Sequence, residues 1–257
     1  MPQPLRILIT GASSGIGRAL AEHYGRGGHT VAAVARRRAL LDDLASEHSG
    51  VLPFEGDVTN DAEIDHLINR FAIEQGGLDL VYVNAGVGQR SGEEGWDRER
   101  TRLIEDVNIR GAMNTIVPAV AIMLRQGRGR IVGISSLAGR VPLPGAAAYG
   151  ASKAWLAFYL ESLDMDLAPR GVRCTVVMPG YVATPMVDGA ESALVTPSAR
   201  RAAALIAQRV SRGDRVIRFP RRVALLASLA AIAPRSLRIS MQNRRLAKRK
   251  AQRGRQE

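Results

Sequence analysis

The stretch Leu5-Arg6-Ile7-Leu8-Ile9-Thr10-Gly11-Ala12-Ser13-Ser14-Gly15-Ile16-Gly17 decides the fold. Its first six residues form a short β-rich run that stops at Gly11. Beyond the glycines, Ile16, Leu20 and Tyr24 recur at the four-residue spacing of one helix face. Strand, glycine turn and helix thus follow one another directly. Such a turn brings backbone amides and the positive end of a helix close to an anion, making a cradle for a dinucleotide pyrophosphate. The glycine spacing differs from the general G-x-G-x-x-G fingerprint, and a bare β-to-α turn without a ligand is the competing reading of the motif alone.

The alternation continues outward. Strands are expected at Thr30–Ala35, 51–54, 80–83, 130–135 and 172–178, with helices at 40–48, 62–75, 100–126 and 149–168. Repeated βα units predict an α/β fold: a single Rossmann-like, doubly wound parallel sheet with helices on both faces. Thr196-Pro197 opens a short helix, and 216–219 reads as one last strand. The 257 residues therefore divide into a dinucleotide-binding domain over 1–220, with a substrate loop at about 185–212, and an apolar segment with a basic C-terminal extension over 221–257.

The net charge of +12 is local: residues 1–211 hold 22 basic and 22 acidic side chains, residues 212–257 hold 14 and 2. The tail could meet anionic lipid, nucleic acid or an acidic protein, or hang in solvent. It holds one aromatic, Phe219, so base stacking is unsupported and nucleic acid is the weakest of these partners. The apolar run 223–233 is about half of the roughly 20 residues that span a bilayer. It either closes the subunit or a dimer interface, or lies on an anionic membrane. A cytoplasmic protein, with peripheral membrane contact as the variant, is the expectation, since the strand and glycine motif start too early for a secretory signal. The single cysteine, Cys174, sits in an apolar run and reads as a buried thiol. His23, His29, His48 and His66 have no metal-ligand spacing, so no metal is expected.

Arg36-Arg37-Arg38 follows the second strand, with no carboxylate between Val31 and Arg38. Guanidinium groups there suit the 2′-phosphate of NADP(H), favoured over NAD(H); the competing reading is a solvated helix start balanced by Asp42 and Asp43. Tyr149 and Lys153 share a helix face, where an ammonium would favour the phenolate and lower the tyrosine pKa. Chance alone would supply about 0.06 such pairs, and Lys153 is the only lysine before residue 248. Ser136, thirteen residues before Tyr149, offers a hydroxyl to a substrate carbonyl; Ser135 competes for that role.

Together with Asp57-Val58-Thr59, Asn84-Ala85-Gly86, Asn108, and Pro179-Gly180 followed by Thr184, these residues resemble the short-chain dehydrogenase/reductase family over roughly 5–220. The resemblance implies a proton donor at Tyr149, and a Lys153 that lowers its pKa and holds the nicotinamide ribose. It implies Ser136, rather than Ser135, on the substrate oxygen, and Asn108 anchoring a water that joins Lys153 to solvent. It places Gly11, Ser13, Ser14, Gly15, Ile16, Gly17, Arg36 and Arg37 along the cofactor, with Asp57 and Val58 at the adenine. Asn84, Ala85 and Gly86 follow beside the central strands, and Pro179, Gly180, Val182 and Thr184 lie at the nicotinamide. Val83 departs from the family pattern, in which an asparagine is common. A homodimer or homotetramer through the helices carrying Asn108 and Tyr149 is also implied.

Substrate selectivity is expected in the loops 87–96, 137–148 and 181–195. Trp96, Leu137, Val141, Leu143, Tyr181, Met186, Val187 and Leu194 make these loops apolar; Arg90, Arg140 and Glu191 are the charges that would argue otherwise. The expectation is an NADP(H)-dependent interconversion of an apolar or lipid-like ketone and its secondary alcohol. The alternative is a catalytically silent dinucleotide sensor or scaffold of the same fold.

Overall fold

The computed structural model describes residues 3–88, 96–143, 145–184 and 198–232, with Pro234 and Ser236. Its strands are β1 (Arg6–Thr10), β2 (Thr30–Ala35), β3 (Val51–Glu55), β4 (Leu80–Val83), β5 (Gly129–Ile134), β6 (Val172–Pro179) and β7 (Val216–Phe219). All pair in parallel, in the order β3-β2-β1-β4-β5-β6-β7. Continuous apolar runs suit strands buried on both faces, because alternate side chains enter opposite cores. Ile7 and Ile9 pack with Leu20 of α1 (Gly15–Arg26), Leu41 of α2 (Arg38–Glu47) and Ile206 of α7 (Ala199–Ser211). Leu8 turns the other way, into a core with Ile64 and Phe71 of α3 (Asp61–Glu74), Ile116 of α5 (Gly111–Gln126) and Leu160 of α6 (Ala147–Leu167).

The strand order reverses between β1 and β4, so the loops after these two strands diverge and leave a crevice at their carboxyl ends. Both signature turns, Gly11–Gly17 and Asn84–Gly86, lie there.

Three elements differ from the sequence expectation. The helix expected at 100–126 is α4 (Arg98–Glu105) running through one π-helical turn, Asp106–Arg110, into α5. Thr196-Pro197 lies outside the described residues; α7 is a full 13-residue helix opened by Ser198, whose hydroxyl accepts from the Arg201 amide. Residues 223–232 of the apolar run belong to α8 (Arg221–Ile232), whose inner side, Val223, Ala224 and Ala227, joins the core. Among the described residues the helix Arg98–Gln126 alone is long and apolar enough to cross a membrane, and over half of its apolar window is buried within the molecule, as in a core helix. The tail from residue 237, with Arg235, lies outside the described residues.

Candidate active site

A cleft of about 360 Å³ occupies the crevice. Its floor is held by Thr10, whose buried hydroxyl accepts from the Asn84 and Ala85 amides at 3.1 and 3.2 Å. The Asn84 side chain returns two N–H bonds, to the carbonyls of Thr10 (2.9 Å) and Gly11 (3.2 Å). These bonds pull the two turns so close that a Cβ on Gly11 would lie 2.8 Å from the Ala85 Cα, and Gly11 also has φ +68°. Gly17 serves the same approach from behind: its Cβ would meet the Gly11 carbonyl at 2.4 Å. It is absent from the cleft lining, so its expected place along the cofactor becomes one of helix-to-turn packing. Ser14 caps α1 without a side-chain hydrogen bond, leaving the first-turn N–H groups beside the cleft to an anion.

The three arginines separate. Arg37 donates to the Ser13 hydroxyl at 2.8 Å and the Ser14 hydroxyl at 2.9 Å, and Arg36 lies 3.5 Å from the Asp57 carboxylate; both line the cleft. Arg38 starts α2 and is spent on Asp42 at 2.8 Å, while Asp43 pairs with Arg18. Asp57 brings a carboxylate from the end of β3 to a corner that the β2 sequence leaves without one. Burial opposes its charge, but the Thr59 amide and hydroxyl and then Arg36 outweigh it and hold Asp57 below the usual carboxylate range.

At the other end stand Ser136, Tyr149 and Lys153. The Ser136 hydroxyl accepts from the Ala138 amide at 3.1 Å and donates to the Pro179 carbonyl at 3.5 Å. Ser135, the competing serine, donates to the Lys153 carbonyl at 2.7 Å, which ties it to α6. Gly139 fixes the same relation: a Cβ there would lie 2.7 Å from the Ala154 amide, so the turn after Ser136 sits directly on the α6 backbone. Burial pushes the Tyr149 phenol above its ordinary value, Ser136 pulling the other way and Tyr181 adding to the rise. The net direction is upward, whereas the sequence reading expected a lowering by Lys153. The ammonium donates to the Ile134 carbonyl at 2.9 Å and stands 5.9 Å from the centre of the phenol ring, so desolvation of the phenolate prevails. Burial brings Lys153 itself down to about 8.

Asn108 holds the turn that follows β4. It does not line the cleft: its side chain clamps the Val87 backbone, accepting at 2.8 Å and donating at 3.0 Å, and donates to Ser152, which bonds the Tyr149 carbonyl. It thereby positions the Gly86 turn, where a Cβ would come within 3.2 Å of the Lys153 ammonium nitrogen. Every other site residue expected from the sequence lines the cleft: Gly11, Ser13, Ser14, Gly15, Ile16, Arg36, Arg37, Asp57, Val58, Asn84, Ala85, Gly86, Ser136, Tyr149, Lys153, Pro179, Gly180, Val182 and Thr184. Sequence reasoning missed Ser152 and Gly139, small residues without a motif, and Val34, Gly56 and Val107, which join the lining through strand ends and the π turn.

Of the expected substrate contacts, Leu137 and Val141 are buried in the fold, while Trp96, Leu143 and Tyr181 are exposed and Arg140 faces solvent. Arg90, Met186, Val187, Glu191 and Leu194 lie outside the described residues. The donor set fits a dinucleotide: uncapped helix amides for a pyrophosphate, an acidic and basic corner for the adenosine, and a lysine at the far end.

Residues 6–195 match the short chain dehydrogenase family. A Myxococcus xanthus oxidoreductase is 40% identical over 238 residues, 90% of this chain and 93% of its own length. A 3-oxoacyl-[acyl-carrier-protein] reductase of Thermotoga maritima is 34% identical over 190 residues, covering 70% of this chain and 75% of that protein. A short chain dehydrogenase of Burkholderia cenocepacia, solved in complex with NADP, superposes with a TM-score of 0.81 at 25% identity over 93% of this chain and 97% of that one. The chain is therefore a member of the short chain dehydrogenase family, an NAD(P)-binding oxidoreductase related to the ketoacyl reductases.

Proposed function

We propose that this protein is an NADPH-dependent reductase of an apolar ketone, with Tyr149 as the proton donor. One observation carries the reading: Ser136, Tyr149 and Lys153 share a single cleft with Arg36 and Arg37, whose guanidiniums suit a 2′-phosphate. A bound nicotinamide supplies the hydride to the carbonyl carbon. Ser136 and Tyr149 hold the carbonyl oxygen between two hydroxyls, and the phenol proton passes to that oxygen as negative charge develops on it. The phenolate left behind can accept from the Ser136 hydroxyl and has a buried ammonium nearby. The Ser13 and Ser14 hydroxyls hold Arg37 at the rim, and Arg36 leans on Asp57, so a phosphate meets two pre-positioned guanidiniums. The exposed Tyr181, between the lining residues Gly180 and Val182, supports an apolar substrate.

The test is oxidation of NADPH and of NADH against hydrophobic and polar ketones, with Tyr149→Phe as the control. Turnover with NADPH and a hydrophobic ketone that vanishes in the variant is expected. Tight NADPH binding without turnover on any ketone overturns the reductase reading in favour of a silent sensor. A homodimer or homotetramer is proposed through α5 and α6, supported by their exposed Met113, Val117, Phe158 and Met165; a monomer in light scattering overturns it.

A further inference from the structure

α8 carries its hydrophobic residues on both sides. Val223, Ala224 and Ala227 face the core, as a surface helix requires. Leu225, Leu226 and Leu229 face out, 62%, 60% and 53% exposed. At 100° per residue these three, with Arg221 and Arg222, fall on one continuous outward strip. Both arginines are exposed, as is Arg218 just before them on the edge strand β7. A leucine strip with cations at its margin is the composition of a helix lying in a charged lipid interface.

Charge selects among the occupants. Residues 212–257 hold 14 basic and 2 acidic side chains. A second copy seated on α8 by two-fold symmetry would bring this cationic segment against its own duplicate, whereas an anionic bilayer surface complements it. The helix is also placed where docking has a consequence. Gly180 lines the cleft, and a Cβ there would lie 3.3 Å from Pro220 Cδ and 3.5 Å from Val223 Cγ1. The Gly180 amide donates to the Phe219 carbonyl at 2.7 Å. The first turn of α8 therefore packs directly behind Gly180 of the cleft.

We infer that α8 docks on an anionic membrane surface through Leu225, Leu226 and Leu229, flanked by Arg221 and Arg222, and that docking sets the substrate end of the cleft beside the lipid. The second clause rests on the proposed reduction of an apolar ketone; the first does not. The test is therefore sedimentation without ketone or cofactor, so that its failure is distinguishable from failure of the reductase reading. Full-length protein is spun with phosphatidylcholine vesicles with and without phosphatidylglycerol, at low and raised salt. Binding only to the phosphatidylglycerol vesicles, reduced by salt, is expected. Leu225→Ser with Leu226→Ser and Leu229→Ser should weaken binding at least about tenfold, and Arg221→Gln with Arg222→Gln several-fold, each with an unchanged melting curve. Absence of binding overturns the inference. So does equal binding by the leucine variant, which would leave a cationic tail alone, or loss of a dimer by that variant in light scattering, which would make α8 an interface between copies.

Discussion

The two ends of the sheet are built from similar residues to opposite effect. At the amino end, polar groups satisfy one another. Arg6 gives Asp79 two side-chain bonds at 2.7 Å and its backbone amide at 3.0 Å, with Arg128 alongside. Gln126 closes on both the amide and the carbonyl of Leu78. The buried Asp164 accepts from the Cys174 amide at 2.8 Å and lies within 4 Å of Arg173 and Arg215. At the carboxyl end the same kinds of group stop short of completion: uncapped helix amides, two arginines held at a rim, a lysine bonded to one carbonyl. A ligand site in this fold is thus the end at which internal pairing is withheld, while stability is concentrated at the other. Substitutions at the two ends should accordingly separate activity from stability.

The largest effect is expected from Tyr149→Phe. Loss of the proton donor should lower kcat by about 10²- to 10⁴-fold, with unchanged melting temperature and NADPH affinity; a variant within threefold of the parent would break the assignment. Lys153 gives the next. Its folded value of about 8 lies below the ordinary 10.5, so burying the ammonium costs stability below pH 8. That cost is relieved as the pH rises from about 8 to 10.5, because the folded protein releases the proton first. Relative to Lys153→Met, the parent should gain up to about 3 kcal/mol across this window, measured by denaturant unfolding at several pH values; parallel curves would refute the burial. At the amino end, Asp79→Ala leaves the Arg6 amide without its acceptor and its guanidinium with the Gly76 carbonyl. It should cost about 2 kcal/mol with kcat intact, and a loss of turnover at unchanged stability would erase the contrast between the ends.

The sequence makes one end more legible than the other, for a physical reason. Apolar runs and glycine breaks report burial and turns directly, so the strands and the cradle could be read in chain order. Gly11 could be placed because a turn with positive φ and close backbone approach needs it. Asn108 could not be placed. Whether it faces the cleft or the Val87 backbone depends on a π turn that no periodicity announces. The Tyr149 and Lys153 spacing was visible, yet the direction of the phenol's shift depends on burial depth and on where the ammonium points, and both are properties of the packed structure. The pairing of Arg6 with Asp79, 73 residues away, left no local signal at all.

The smallest expected effect tests the arginine run, where three identical residues have three different surroundings. Arg37 and Arg36 line the cleft, and Arg38 lies one residue further, on the exposed face of α2 with Asp42. A charge-assisted contact to a 2′-phosphate is worth about 1.5 kcal/mol, so Arg37→Ala should lower the preference for NADPH over NADH about tenfold, through the KM for NADPH. Arg36→Ala should do the same to a smaller degree, because Arg36 is already shared with the Asp57 carboxylate at 3.5 Å and is exposed to solvent. Arg38→Ala breaks only an exposed helix pair worth about 0.3–0.5 kcal/mol and should leave the cofactor ratio unchanged. Equal effects from all three would mean that the run acts as a diffuse positive field; the graded order would mean that Ser13 and Ser14, by fixing Arg37, set the cofactor choice.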